Sequence, residues 1–239
     1  GSINNIENQP GNKVQSAAEA SFDAWIKAYT PNENSYNTTI SYYSKGNVIA
    51  NMLDLMIINA TNGNKSLDNV MQYLYNEYFE KQKRGFTNKE MQSALEKIGD
   101  LKLDDFFEKY VNGTQTFDYP TIFGYVGLSV QTALNNDAGL GISTSGNTIT
   151  KVNRNSSAYQ GGLNVNDEIL AIDGFRVNGD VEDFIENKKV GDEISILLSR
   201  DNLIQTISLV LKEKGITRYF IMNDAGKKNS KYQKWLSQK

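Results

Sequence analysis

The 239-residue chain contains no cysteine and no histidine. Without cysteine there are no disulfides and no thiolate metal sites, although compartment is left open, because exported and cytosolic proteins can both lack it. The missing histidine excludes more. Histidine is the usual general base near neutral pH and the commonest zinc ligand. A Ser-His-Asp triad and a histidine-bound zinc are therefore beyond this chain alone. Hydrolytic chemistry within it would rest on carboxylates, Lys or Tyr. Positive charge is not in excess either: 25 Lys and Arg stand against 28 Asp and Glu, a net charge of −3. There is no basic field to hold nucleic acid. The apolar stretch from Val48 to Ile58 is too short to span a bilayer, and Asn51 and Asp54 interrupt it.

What remains is ordinary globular material, 39% hydrophobic and 22% charged. The length suits one large or two modest domains. The leading Gly1-Ser2 reads as a cloning scar, and residues 1–13 as a tag and disordered lead. The chain is then expected to be a piece of something longer, with further chemistry upstream.

Residues 14–119 carry helical signals. "SAAEASFDAWIKAYT" opens with a capping box, Ser16 and Glu19, and Phe22, Trp25, Ile26 and Tyr29 follow at helical spacing until Pro31. Gly46 to Ala60 is apolar on most sides and is expected to be the central buried helix. Ser66 caps a stripe of Leu67, Val70, Met71, Leu74, Tyr75, Tyr78 and Phe79, read as a core face. Thr87 and Glu90 form a second capping box, with Gly99 read as the C′ residue. A short fourth helix ends at Gly113, and Asp104 and Asp105 in its first turn favour its dipole.

After "FDYPT", near Phe117–Thr121, the periodicity changes. Short Val-, Ile- and Leu-rich segments alternate with glycine and Asn-Asp turns. "NTITKVN", "DEILAIDG", "DEISILLSRD" and "LIQTISLVLKEKG" read as strands, and "DVEDFIENKK" as a helix. The fold class is multidomain: an all-α helical subdomain, then an α+β module over residues 120–215. Residues 216–239 read as a lysine-rich C-terminal tail.

The second module resembles a PDZ domain of the bacterial type. Gly139-Leu140-Gly141-Ile142 is similar to the G-L-G-Φ carboxylate-binding loop. Ser156-Ser157-Ala158 through Gly161-Gly162-Leu163 is similar to the S-P-A-x-x-A-G-L turn, with Ser157 where proline is usual. "NVNDEILAIDG" is similar to the x-x-G-D-x-I-x-x-I-N-G signature, with Asn166 where glycine is usual. The resemblance implies a peptide-binding groove. Glycine-rich backbone N–H groups make an anion-binding nest, and the strand from Ile142 offers an edge for an added peptide strand. Val181, Phe184 and Ile185 would form the other wall.

The first module resembles the glycyl aminopeptidase family, PDZ-containing zinc metallopeptidases related to the thermolysin-like aminopeptidases. "EASFDAWIKAY", "NTTISYYSKG", "SLDNVM", "GFTNKEMQSALEKI" and "FFEKYVNGT" carry that resemblance. It implies zinc in the full-length enzyme, held by an H-E-x-x-H helix and a downstream glutamate. Both lie N-terminal to the region matched, in a missing catalytic half, so no metal ligand is expected in residues 1–239. It implies peptide substrates cleaved after N-terminal Gly- or Ala-like residues, and an exported or periplasmic setting. It also implies a role for Tyr43, since Tyr43-Ser44-Lys45-Gly46 matches a Y-x-K-G element whose tyrosine stabilises the transition state. A protonated phenol suits donation to a tetrahedral oxyanion. Tyr42 is the alternative bearer. Lys45 is read as an ion-pair or capping residue, and Gly46 as a point of close approach. The rival reading is a non-catalytic scaffold whose PDZ domain binds protein C-termini. An H-E-x-x-H upstream of the chain would separate the two.

Overall fold

The computed structural model describes residues 1–223 and 230–237. The first half is helical: α1 (Ser2–Glu7), α2 (Ala17–Phe22), α3 (Ser35–Thr38), α4 (Tyr42–Ala60), α5 (Leu67–Leu74), α6 (Asn88–Gly99), α7 (Asp104–Phe106) and α8 (Tyr119–Gly124). The second half holds β1 (Ser129–Gly139), β2 (Ile142–Ser145), β3 (Thr148–Val152), α9 (Ser157–Gly161), β4 (Glu168–Ile172), β5 (Phe175–Arg176), β6 (Glu193–Arg200), β7 (Leu203–Val210) and β8 (Lys212–Met222). Helix α10 (Ser230–Ser237) follows. No helix among the described residues is long and apolar enough to cross a membrane.

Two apolar cores organise the chain. The first surrounds α4, whose Val48, Met52, Leu55, Ile57 and Ile58 are buried against Leu74, Leu95, Phe106 and Phe123. The second gathers Leu140, Ile149, Ile169, Ile172, Ile194, Ile196 and Leu198 from the sheet. That sheet is antiparallel, in the order β2-β3-β4-β6-β7, with β5 on β4. Strands β1 and β8 form a separate antiparallel ribbon, pairing Ser129 with Met222 and Gly139 with Lys212. The ribbon reaches back to the helical core through Val130 and Tyr219.

Several helix ends behave as their residues dictate. Ser16 Oγ accepts from the Glu19 N–H at 3.1 Å while Glu19 accepts from the Ser16 N–H at 2.9 Å. Thr87 and Glu90 repeat the pattern. Ser66 is completed by Asn69, whose side chain accepts from the Ser66 N–H at 3.0 Å.

Other expectations need correction. Residues 1–13 are not a disordered lead: α1 and a 3-10 turn, Pro10–Lys13, fold onto the helical half, with Ile6 buried in its core. The tail expected from residue 216 begins inside β8, and α10 packs on the first core through Tyr232 and Trp235; residues 224–229 and 238–239 lie outside those described. The helix expected over "DVEDFIENKK" is only a 3-10 turn, Val181–Phe184. Its single buried apolar pair, Val181 and Ile185, is too little to hold a longer helix.

The stripe from Phe22 to Tyr29 also departs from expectation. Helix α2 stops at Phe22 and gives way to a π turn, Ala24–Ala28. Phe22 is 90% exposed and Trp25 81%, so the stripe faces outward. The face from Tyr73 to Phe79 is divided: Tyr73 and Tyr78 pack on the core, while Tyr75 and Phe79 stack on each other outside it. Gly99 is the last residue of α6, and Asp100 takes the left-handed position at φ 51°. Glycine is needed at 99 for packing, because a Cβ there would lie 2.9 Å from Ile57 Cγ1.

Candidate functional site

Two places gather the residues singled out by sequence. The first is the start of α4. Ser41 caps it, its hydroxyl accepting from the Ser44 N–H at 3.3 Å. Tyr42 and Tyr43 occupy the first turn with ring centroids 4.2 Å apart. Tyr43 is 70% exposed, whereas Lys45 is 1% exposed. Two residues on a helix turn through about 200°, so a tyrosine facing solvent places the lysine inward. Lys45 Nζ donates to Asn12 Oδ1 at 2.6 Å. Asn12 in turn donates to Glu7 Oε2 at 3.4 Å, and the Tyr119 hydroxyl donates to Glu7 Oε1 at 2.7 Å. Burial pushes the Lys45 ammonium below the usual lysine range, and Glu7 opposes that shift.

The Tyr42 hydroxyl lies 3.3 Å from that of Tyr29, and Trp25 packs on Tyr29 with centroids 5.1 Å apart. Hydrogen bonds to Tyr29 and then Tyr43 push the Tyr42 phenol up from its ordinary value. Tyr42 and Tyr43 thus adjoin an exposed aromatic surface built from Trp25 and Tyr29. Gly46 makes no close approach, since a Cβ there would meet nothing within 4 Å.

The remaining carboxylates have local work. Glu19 closes its capping box, and hydrogen bonds from Ser16 hold its carboxyl below the usual range. Asp104 accepts from Gln92 at 2.7 Å, and Asp105 pairs with Lys109 at 2.6 Å. Among the described residues, no three Asp or Glu side chains come together to hold a metal ion. With no His or Cys in the sequence, a zinc ion does not fit this chain's own residues.

The second place is the loop between β1 and β2. Leu140 is buried in the second core, and Gly141 takes φ +74° with Ser156 packed against it. A Cβ on Gly141 would lie 2.3 Å from Ser156 Cβ, so the position requires glycine. Ser157, where the motif has proline, is buried. Its hydroxyl donates to the Gly139 carbonyl at 2.7 Å and accepts from the Lys212 N–H at 2.8 Å. Asn166, where the motif has glycine, sits at φ 73°, in the left-handed region asparagine tolerates.

Strand β2 pairs only with β3 in the described sheet, which leaves its other edge without a strand neighbour. Val181 and Ile185 are buried in the second core rather than lining a surface, and Phe184 is half-buried. Beside the loop lies a cavity of about 470 Å³, lined by Gly139, Gly141, Ile142, Arg154, Glu182 and Lys214 among others. Sequence reasoning missed Glu182 and Lys214. They come from segments 32 residues apart, and no local pattern pairs them.

Residues 1–49 match the M61 glycyl aminopeptidase family. Residues 124–211 match the PDZ domain family. Together they fit the C-terminal part of a glycyl aminopeptidase family protein with a PDZ domain. The glycyl aminopeptidase match includes α1 and the Tyr42–Gly46 segment; the PDZ match includes the Gly141 loop and β2 to β7.

Among solved structures, the chain is similar to an aminopeptidase N family protein from Idiomarina loihiensis. The identity is 26% and the TM-score 0.84, over 98% of this chain and 43% of the other. The chain thus spans less than half the length of that relative. A serine endoprotease from Yersinia pestis aligns over 34% of this chain and 29% of its own, at 24% identity and TM-score 0.31. The HtrA-type protease AlgW with decapeptide aligns over 36% of this chain and 30% of its own, at 22% identity and TM-score 0.28. A search of curated proteins returned no match.

Proposed function

We propose that the chain is the C-terminal part of a zinc aminopeptidase that removes N-terminal Gly- or Ala-like residues from peptides. In this reading the zinc and its general base belong to a part of the protein outside these residues, in an exported or periplasmic enzyme. The observation that carries the reading is Tyr43. It is exposed at a capped helix start, while Lys45 of the same element is anchored in the core. A phenol held on a rigid helix terminus can donate a hydrogen bond to a developing oxyanion with little reorganisation. The aromatic surface of Trp25 and Tyr29 beside it is apolar ground for the remainder of the enzyme to cover. The PDZ part would position peptide.

The test is made in the full-length enzyme. Tyr43→Phe removes one hydroxyl and little volume. Turnover of Gly- or Ala-p-nitroanilide should fall about 10²-fold or more with KM little changed. Tyr42→Phe should be much milder, because its hydroxyl is engaged with Tyr29. Equal small effects from both would end the assignment of Tyr43. This chain by itself should show no turnover and bind no stoichiometric zinc.

The free edge of β2 beside a glycine loop favours a second reading of that half, as a binder of protein C-termini. It is compatible with the first, and would stand alone if the longer protein had no peptidase activity.

A further inference from the structure

Lys214 projects from β8, and its aliphatic stem lies on Gly139. A Cβ on that glycine would come within 2.7 Å of Lys214 Cγ. The ammonium reaches across to the 3-10 turn, with Nζ 2.9 Å from Glu182 Oε2. Strand β8 is held against the loop at this point, because Ser157 ties the Gly139 carbonyl to the Lys212 N–H. The ion pair therefore bridges the cavity beside the Gly141 loop, at the foot of the free edge of β2.

The charges around that cavity are balanced: Arg154 and Lys214 against Glu182 and Glu213. Arg154 stacks its guanidinium 6.0 Å from the Tyr159 ring. The nearby Lys212 ammonium is held by the Asn155 carbonyl, to which it donates at 3.3 Å. Lys214 is the cation whose stem packs on Gly139 of the loop, and it is already partnered. Both members of the pair are more than a third exposed. Such exposed pairs contribute little, so an incoming carboxylate can displace Glu182 at little cost.

We infer that the Lys214–Glu182 ion pair is a charge gate on the peptide groove, opened when the terminal carboxylate of an extended peptide takes Lys214 from Glu182. The inference rests on the PDZ reading of this half. The ligand is a peptide with a free C-terminal carboxylate, laid along β2. Glu182 acts against binding until Lys214 is drawn from it, and Lys214 supplies the charge-assisted bond afterwards.

The probe is a fluorescent hexapeptide with an apolar last residue, prepared as the free acid and as the C-terminal amide. Anisotropy measures its binding to the whole chain. The wild-type protein should prefer the acid. Glu182→Gln should tighten the acid about threefold, and Lys214→Met should weaken it about fivefold, within the range open to exposed pairs. Neither should alter amide binding. If both variants leave acid affinity unchanged while the peptide still shifts the Gly141 and Ile142 amide resonances, the gate is wrong and the groove stands. If no peptide binds the wild type or Glu182→Gln, the groove reading fails and the gate with it.

Discussion

A buried lysine anchors the start of α4 beside Tyr43. Lys45 is sealed from solvent, bonded to Asn12, and 5.8 Å from the Phe117 ring centroid. Lys45→Met keeps the length and removes the charge. It also leaves Asn12 Oδ1 without its donor, which costs about 1–3 kcal/mol in a buried setting. That loss should exceed the gain from no longer burying an ammonium, since Glu7 partly compensates the charge. Urea denaturation should show the net destabilisation. Its pH dependence has a definite sign. The folded protein holds the Lys45 proton less tightly than the unfolded chain, whose ordinary value is 10.5. The unfolded state therefore binds more protons in the window between the lowered folded value and 10.5. Stability rises with pH there, and the deficit of Lys45→Met relative to wild type should widen on alkalinisation. A deficit that shrinks would show that Lys45 does not titrate as a buried group.

At the scale of elements, legibility followed the range of the interaction. The capping boxes at Ser16 and Thr87 are four-residue patterns, and both form. The glycine loop and the turn around Ala158 are equally local. The β1–β8 ribbon was not legible: its partners lie more than 70 residues apart, and its strands are half exposed and broken by register shifts. The outward face of Phe22 and Trp25 was hidden for a different reason. A helical stripe predicts burial only while the helix continues, and here α2 widens into a π turn. Within the candidate sites, Tyr43 and Gly141 were singled out by motif, whereas the partners of Lys45 and Lys214, Asn12 and Glu182, are brought near only by tertiary structure. Gly99 separates local propensity from packing. Alanine is the better helix former by about 1 kcal/mol, yet its Cβ would press on Ile57, which is fully buried. Overpacking of this kind costs about 1–3 kcal/mol. Gly99→Ala should lower the melting temperature, while Gly85→Ala, with open space around it, should not. A stabilised Gly99→Ala would mean that Ile57 yields freely.

Across the whole molecule, the two cores are joined by polar clasps rather than by one continuous sheet. Asn4 donates to the Tyr219 carbonyl at 3.0 Å and accepts from its N–H at 2.7 Å, fixing the β1–β8 ribbon to α1. Asn37 does the same for the sheet: it donates to the Val152 carbonyl at 2.7 Å and accepts from the Arg154 N–H at 2.8 Å. Val152 pairs with Ile142, and the Asn153 N–H donates to the Gly141 carbonyl at 2.8 Å. One buried asparagine amide, in the helix preceding α4, thus holds the backbone that frames the glycine loop. Lys151 over the Tyr36 ring, 4.0 Å from its centroid, adds a second contact beside it. Asn37→Ala removes both bonds and leaves the buried Val152 carbonyl without a partner, at about 1–3 kcal/mol, and the part-buried Arg154 N–H open to water. Tyr36→Leu removes the half-buried ring over Lys151, worth about 0.5–2 kcal/mol, and with it the hydroxyl that donates to the Asn8 carbonyl at 2.8 Å, but neither backbone bond of Asn37. Hydrogen exchange reads the difference locally. In Asn37→Ala the Arg154 and Asn153 amides should lose protection, while Ile149, bonded within the sheet to Asp167, keeps it. Tyr36→Leu should leave all three near wild type. If protection at Arg154 survives the loss of Asn37, the glycine loop is framed without help from that asparagine.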